Sequence, residues 1–253
     1  MKFRSFILSI ACLIANTACA QIDRRFSSYR DMSIQNKLMQ DNLSINPAMF
    51  WVLDGQQLWD LKADDSGMSC QGCHGNVVVS MKGVAATFPK VVNGRLRAIE
   101  DQINFCRTNR LDLAPLSYES QPMLALSTLI AKESRGFAIN LDSKGELVQM
   151  AERGRLLYFE RIGQLNLSCA NCHDERAGSI LGGIKIPQGH PTAYPIYRIE
   201  WQGMGSLQRR IRGCMTAIRA ERYPFGSDEL KSLETYLRLR AQGMTTESPG
   251  VRP

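Results

Sequence analysis

Beyond its first twenty residues the sequence has no apolar run approaching the roughly 20 residues that a bilayer-spanning helix needs, so no membrane span is expected. Basic residues outnumber acidic ones, 31 to 24, yet they form no dense run and no nucleic-acid motif, which argues against nucleic acid as a partner. Long stretches of β-type alternation are missing as well, and with them the signature of an extended sheet. What remains is an ordinary globular composition, 44% hydrophobic and 22% charged over 253 residues, with room for two small, mostly helical domains.

Residues 1–20 read as an export signal. Lys2 and Arg4 provide the positive start, Phe6 to Ala15 the apolar stretch, and Ala18-Cys19-Ala20 a small-x-small cleavage site. Cys19 as a lipid-bearing cysteine fits poorly, because the third residue back is Asn16 where an aliphatic one is usual. Cleavage before Gln21 is expected, giving a soluble periplasmic protein. Loss of Lys2 and Arg4 lowers the formal charge from +7 to about +5, a modest excess suited to an anionic substrate or partner.

The mature chain is a duplication. Gly55-Gln56-Gln57-Leu58-Trp59 precedes Cys70-Gln71-Gly72-Cys73-His74 at the same distance at which Gly154-Arg155-Leu156-Leu157-Tyr158 precedes Cys169-Ala170-Asn171-Cys172-His173. An aromatic-proline pair follows each motif, Phe88-Pro89 and Tyr194-Pro195, then a helical segment ending in Cys106 or Cys214, then an amphipathic helix closed by Gly136 or Gly243. Five landmarks in one order place the first domain at 48–140 and the second at 150–245. Residues 21–47 form a polar leader, and the tail at Ser248-Pro249-Gly250 is expected to fray.

A Cys-x-x-Cys-His motif lets two thiols add to the haem vinyl groups while the adjacent imidazole reaches the iron. Zinc ribbons place their paired cysteines far closer together, and a redox disulfide gives no reason for a histidine after each pair. Two covalent haems c are therefore expected, held by Cys70, Cys73, Cys169 and Cys172, with His74 and His173 as proximal ligands. The fold expected is all-α, two tandem cytochrome c-like haem domains.

For the opposite face of each iron, Met81, Met123, Met204 and Met215 are candidates, but none recurs at a matched position in both halves. Cys106 and Cys214 do, 17 residues after Pro89 and 19 after Pro195. Thiolate ligation by both is favoured; a Cys106–Cys214 disulfide and methionine ligation are the alternatives. His190, the remaining histidine, lies in a glycine-rich loop without a counterpart in the first half and reads as a loop residue.

The halves differ in charge. Arg209, Arg210, Arg212, Arg219 and Arg222 surround Cys214, with Arg210 on its helix face at i, i+4. A solvated helix face is the ordinary reading of such a run, but an embedded cysteine favours an oxyanion site beside an activated thiol. Gln102 holds the matching position before Cys106, after Glu100 and Asp101, whose charge would repel an anion.

Over nearly its whole mature length, through both haem motifs, the two late cysteines and Arg210-Ile211-Arg212-Gly213-Cys214, the sequence resembles SoxA, the dihaem subunit family of the SoxAX cytochromes of bacterial thiosulfate oxidation. The resemblance implies His/Cys ligation at both irons, Cys214 as the active-site residue, in persulfide form in many members, and Arg210 as the substrate-binding residue. It implies an L-cysteine S-thiosulfotransferase that joins thiosulfate to a cysteine of the carrier protein SoxY, with electrons passing to cytochrome c, and a small monohaem SoxX-like subunit as partner. The competing readings are a thiosulfate dehydrogenase forming tetrathionate and a passive dihaem electron carrier; a dihaem peroxidase is disfavoured by two cysteine-ligated irons.

Overall fold

The computed structural model describes residues 23–63 and 68–253; the expected export signal and its cleavage site lie outside them. Among the described residues no helix is long and apolar enough to cross a membrane. The leader carries α1 (Ile34–Asp41), started by Ser33, whose hydroxyl accepts the Asn36 N–H. The first half then runs α2 (Met49–Asp60), the short motif helix α3 (Cys70–His74), α4 (Val77–Ser80), strands β1 (Lys90–Val92) and β2 (Arg95–Arg97), α5 (Ile99–Arg110) and α6 (Gln121–Lys132). The second half has α7 (Glu146–Phe159), the motif helix α8 (Cys169–His173), a hairpin of β3 (Ile180–Leu181) and β4 (Ile184–Lys185), then β5 (Ile196–Arg198), β6 (Gly203–Gly205), α9 (Leu207–Ala217), α10 (Asp228–Arg240) and β7 (Gly250–Arg252).

The repeat read from sequence is a repeat in space. α2 packs on α6 as α7 packs on α10. Both crossings need glycine: a Cβ on Gly55 would lie 2.4 Å from the Ala125 carbonyl oxygen, and one on Gly154 would lie 1.9 Å from that of Ser232. The two equivalent glycines thus set the close approach of the paired helices. Trp59 and Tyr158 follow them on the same helices and are buried at 3% and 1% exposure. Each side chain bonds the residue just past a motif histidine, the indole N–H to the Gly75 carbonyl at 3.1 Å and the phenol to the Asp174 carboxylate at 3.0 Å. One polar tip per half thereby anchors the motif helix to the core.

Two apolar cores follow. One gathers Val52, Trp59, Ile103, Met123, Leu126 and Leu129, the other Tyr158, Leu207, Ile211, Met215, Leu230 and Leu233. α6 is buried from Met123 to Ala131 on every side, because one face serves the first core and Leu124 meets Ala48 and Met204 of the second half on another. Each fully buried leucine here contributes about 1.5–3 kcal/mol of transfer free energy. The buried Arg238 of α10 ties the halves with polar bonds, donating to the Phe88 carbonyl at 3.2 Å and the Ala85 carbonyl at 2.7 Å.

The carboxyl-terminal tail does not fray. β7 runs parallel to β5 and completes a three-stranded sheet in the order β6-β5-β7, with Val251 fully buried. Its Val251 N–H donates to the buried Gln40 side chain of α1 at 3.0 Å, so the leader and the tail hold each other. Gly250 can lie there because a Cβ would come within 2.5 Å of the Ala193 Cβ. A Ser-Pro-Gly string looks like a loose end when its partners stand 50 to 200 residues away.

Candidate functional site

In the second half, Ser168 caps α8 by accepting the Asn171 N–H at 3.3 Å, which presents Cys169, Cys172 and His173 on one short turn of helix. His173 Nδ1 lies 2.7 Å from the Pro187 carbonyl oxygen, so Nδ1 carries the hydrogen and Nε2 is the ring nitrogen left to meet Cys214. Gly189 at φ +74° brings that loop against the ring, where a Cβ would lie 3.4 Å from a ring carbon.

Cys214, from the third turn of α9, faces the same imidazole. Burial pushes its thiol up, but the hydrogen bond with His173 and the charges of Arg210 and Arg198 outweigh burial and hold its pKa below the ordinary thiol value. Cys169 lacks those partners and is pushed up to about 12, first by burial and then by the neighbouring Cys214. The two sulfurs therefore differ in character, a neutral thiol on α8 and an ionisable one on α9.

The arginine run is divided by packing. Arg209 lies over the Trp201 ring at 4.2 Å, and Arg212 lies over Phe225 at 4.2 Å while donating to the Tyr223 carbonyl. Arg219 and Arg222 are exposed. Among the described residues Arg210 alone of the three on α9 has neither a hydrogen-bond nor an ion-pair partner, and it is the one that shares a face with Cys214.

The first half has an apolar cleft lined among others by Trp59, Cys70, Cys73, His74, Phe88 and Cys106. Two thiols, one imidazole and a facing sulfur around an apolar space are the donor set and the surroundings that a covalently held haem requires, so the residues present fit the group. Gln102 donates to the Cys106 sulfur at 3.5 Å and in turn accepts from Arg97 at 3.1 Å, whose guanidinium lies over Phe105. Met81 also lines this cleft, whereas Met123, Met204 and Met215 are buried in the packing cores. Cys106 and Cys214 are both free, each among the motif residues of its own half, and form no disulfide.

One expectation is overturned. Glu100 and Asp101 do not turn toward the Cys106 cleft: Glu100 is buried against Glu234 of α10, with its carboxyl pushed well above the usual range by burial and then by Glu234, and Asp101 caps α5 and accepts from Tyr118 at 2.8 Å. The cleft itself is lined by Arg107 and Arg110. The halves differ at the sulfur not by acid against base but by the neutral Gln102 in place of Arg210. His190 does behave as a loop residue, its ring nitrogen 3.2 Å from the Phe26 carbonyl of the leader.

Residues 54–139 and 153–246 each match the SoxA/TsdA cytochrome c domain. The L-cysteine S-thiosulfotransferase subunit SoxA of Pseudaminobacter salicylatoxidans is 38% identical over 210 residues, which cover 82% of this chain and 73% of that protein. That of Paracoccus pantotrophus is 37% identical, over 88% of this chain and 77% of its own. The crystal structure of SoxXA from P. pantotrophus superposes with a TM-score of 0.86 at 34% identity, covering 90% of this chain and 87% of that one. Two cytochrome c-type domains are thus matched in sequence and in overall fold, and the chain belongs to the SoxA family of c-type cytochromes.

Proposed function

We propose that this chain is the SoxA subunit of a periplasmic L-cysteine S-thiosulfotransferase that joins thiosulfate oxidatively to a cysteine of a SoxY-type carrier, working with a monohaem SoxX-type subunit. The observation that carries this reading is Arg210, without a hydrogen-bond or ion-pair partner among the described residues, on the helix face of Cys214, whose thiol His173 and Arg210 hold below its ordinary value. Cys70, Cys73 and His74 would hold one haem and Cys169, Cys172 and His173 the other, in domains at 48–140 and 150–245, with Cys106 and Cys214 as the opposing ligands. Bound haem c supplies one-electron redox centres that pass electrons on to cytochrome c. The chain's own contribution is to bind and orient. Arg210 grips sulfonate oxygens of the thiosulfate dianion, and the Cys214 sulfur, as thiolate or persulfide, meets the outer sulfur. The apolar packing around Tyr158 and Leu207 limits water at the site.

Two experiments test this directly. A denatured-protein mass of the exported chain should equal residues from Gln21 onward plus two haems, with any further sulfur visible as a discrete increment; one haem or none removes the central claim. Arg210→Ala should lower thiosulfate transfer at low substrate by ten- to a hundredfold, since a charge-assisted hydrogen bond contributes about 1.5–3 kcal/mol. Arg210→Lys keeps the charge without the forked geometry and should lose less. Equal activity of wild type and Arg210→Ala at low thiosulfate would remove Arg210 from the site. Product analysis separates this from the dehydrogenase reading, because tetrathionate forms without a carrier protein.

A further inference from the structure

The duplication supplies an internal control: any group that serves the chemistry of the second half and not the first should stand where the first half has an inert residue. β1 and β2 correspond to β5 and β6, and α5, beginning at Ile99, corresponds to α9, beginning at Leu207. In this register Arg210 replaces Gln102. Two further replacements fall on the register of the aromatic-proline pairs and of β1 and β5, two residues out of step with that of the helices: Tyr194 for Phe88 and Arg198 for Val92 three residues after the prolines. Each adds a hydrogen-bond donor where the first half has only carbon.

Both added groups are turned inward. Arg198 is 5% exposed, lies over the Trp201 ring at 5.1 Å, and donates one guanidinium nitrogen to Glu200 at 2.6 Å, while its buried Nε has no partner among the described residues. A buried N–H without an acceptor is costly and calls for one that arrives with a ligand or water. Tyr194 packs on the second core, which Ile211 of α9 and Cys169 of α8 share, and the charges of Arg198 and Arg210 both reach Tyr194 and Cys214. Burial pushes the Tyr194 phenol pKa up, so it remains a neutral donor. The charges of Arg198 and Arg210 oppose one another, and a dianion within reach of both relieves that repulsion.

We propose that Tyr194 and Arg198 complete, with Arg210, an oxyanion-binding site over Cys214 that selects a dianion carrying sulfonate oxygens. The inference rests on the thiosulfate reading and deepens it. Arg210 binds from α9, Arg198 from β5 and Tyr194 from the turn before it, so three elements fix the orientation of the sulfonate and leave the outer sulfur toward Cys214. Tyr194 and Arg198 are substrate-positioning residues; the reacting sulfur is that of Cys214.

The test uses the haem-loaded complex with Tyr194→Phe, Arg198→Gln and Arg198→Lys, read by thiosulfate kinetics, by sulfate as a competing dianion, and by the electron paramagnetic signal of each haem. Tyr194→Phe should raise KM about three- to tenfold with kcat little changed, and Arg198→Gln should raise it about tenfold or more, with Arg198→Lys in between. Inhibition by sulfate should weaken in parallel, with the first-half haem signal unaltered in every variant and both haem signals of Tyr194→Phe unaltered in the absence of anion. Tyr194→Phe removes a single oxygen and installs the residue that the first half already packs there, so it keeps the test valid if Arg198→Gln fails to fold. Wild-type KM together with wild-type sulfate inhibition in Tyr194→Phe would overturn the proposal. If the wild type turns over no thiosulfate, the thiosulfate reading fails by itself, and sulfate titration of the second-half haem signal still decides the site. A sulfate response weakened in the variants upholds the site, and one equal to wild type sinks it.

Discussion

Cys214→Ala should abolish thiosulfate transfer to the carrier while both haems stay attached. Cys169, Cys172 and His173, proposed to hold the second haem, lie on α8, whereas Cys214 lies on α9, so removing its sulfur should leave covalent attachment untouched. Alanine is also the best helix former, and the half-buried side chain it replaces is small, so α9 should persist. What disappears is the sulfur held in ionisable form by His173, Arg210 and Arg198. Losing a reacting group of this kind costs about four powers of ten or more in turnover. Mass spectrometry of the carrier's acceptor peptide reads the product, and the electron paramagnetic spectrum should change for the second-half haem alone. Wild-type rates from this variant would move the chemistry elsewhere and return the chain to the class of electron carriers.

Gly154→Ala should destabilise the protein by about 3 kcal/mol or more, against the direction of helix propensity. Propensity alone favours alanine inside a helix by about 1 kcal/mol. The overlap is the larger effect: the new Cβ would stand 1.9 Å from the Ser232 oxygen and 2.4 Å from its carbonyl carbon, and both are backbone atoms that cannot swing aside. α7 and α10 would have to separate, opening the core around Tyr158 and Leu230. Gly55→Ala should act likewise on α2 and α6, and more mildly, because its nearest atom is 2.4 Å away. Gly213→Ala is the control: it lies exposed in α9 with no atom within 4 Å of its would-be Cβ, and should be neutral or stabilising by about 1 kcal/mol. Thermal unfolding of the haem-loaded protein measures all three. A Gly154→Ala protein as stable as wild type would show that the helix crossing is looser than the structure has it.

The features legible in the sequence were those written in local spacing. The two haem motifs, the repeat, the mostly helical class and the matched cysteines all follow from residues at fixed separations, and the SoxA likeness rests on the same short strings. Even the glycines at the helix crossings stand out as landmarks, although nothing local says that a carbonyl oxygen occupies the space a Cβ would take. The fate of charged and chain-end residues was not legible. Glu100 and Asp101 read as a repelling pair beside Cys106, yet Glu100 is buried away from the cleft and Asp101 is held by Tyr118 and the α5 cap, because Ile103 fixes which face of α5 turns inward. Ser248-Pro249-Gly250 reads as a loose end, yet it leads into a buried strand whose partners are Gln40 and β5. Arg198 attracts no notice as a single arginine far from the run before Cys214, and only the β5 register and the second core turn it inward. Local order determined where the two Cys-x-x-Cys-His motifs stand, because such a motif is made of neighbours along the chain. Packing between distant segments decided which charges face the sulfur, because a charge goes where burial and a partner together make it least costly.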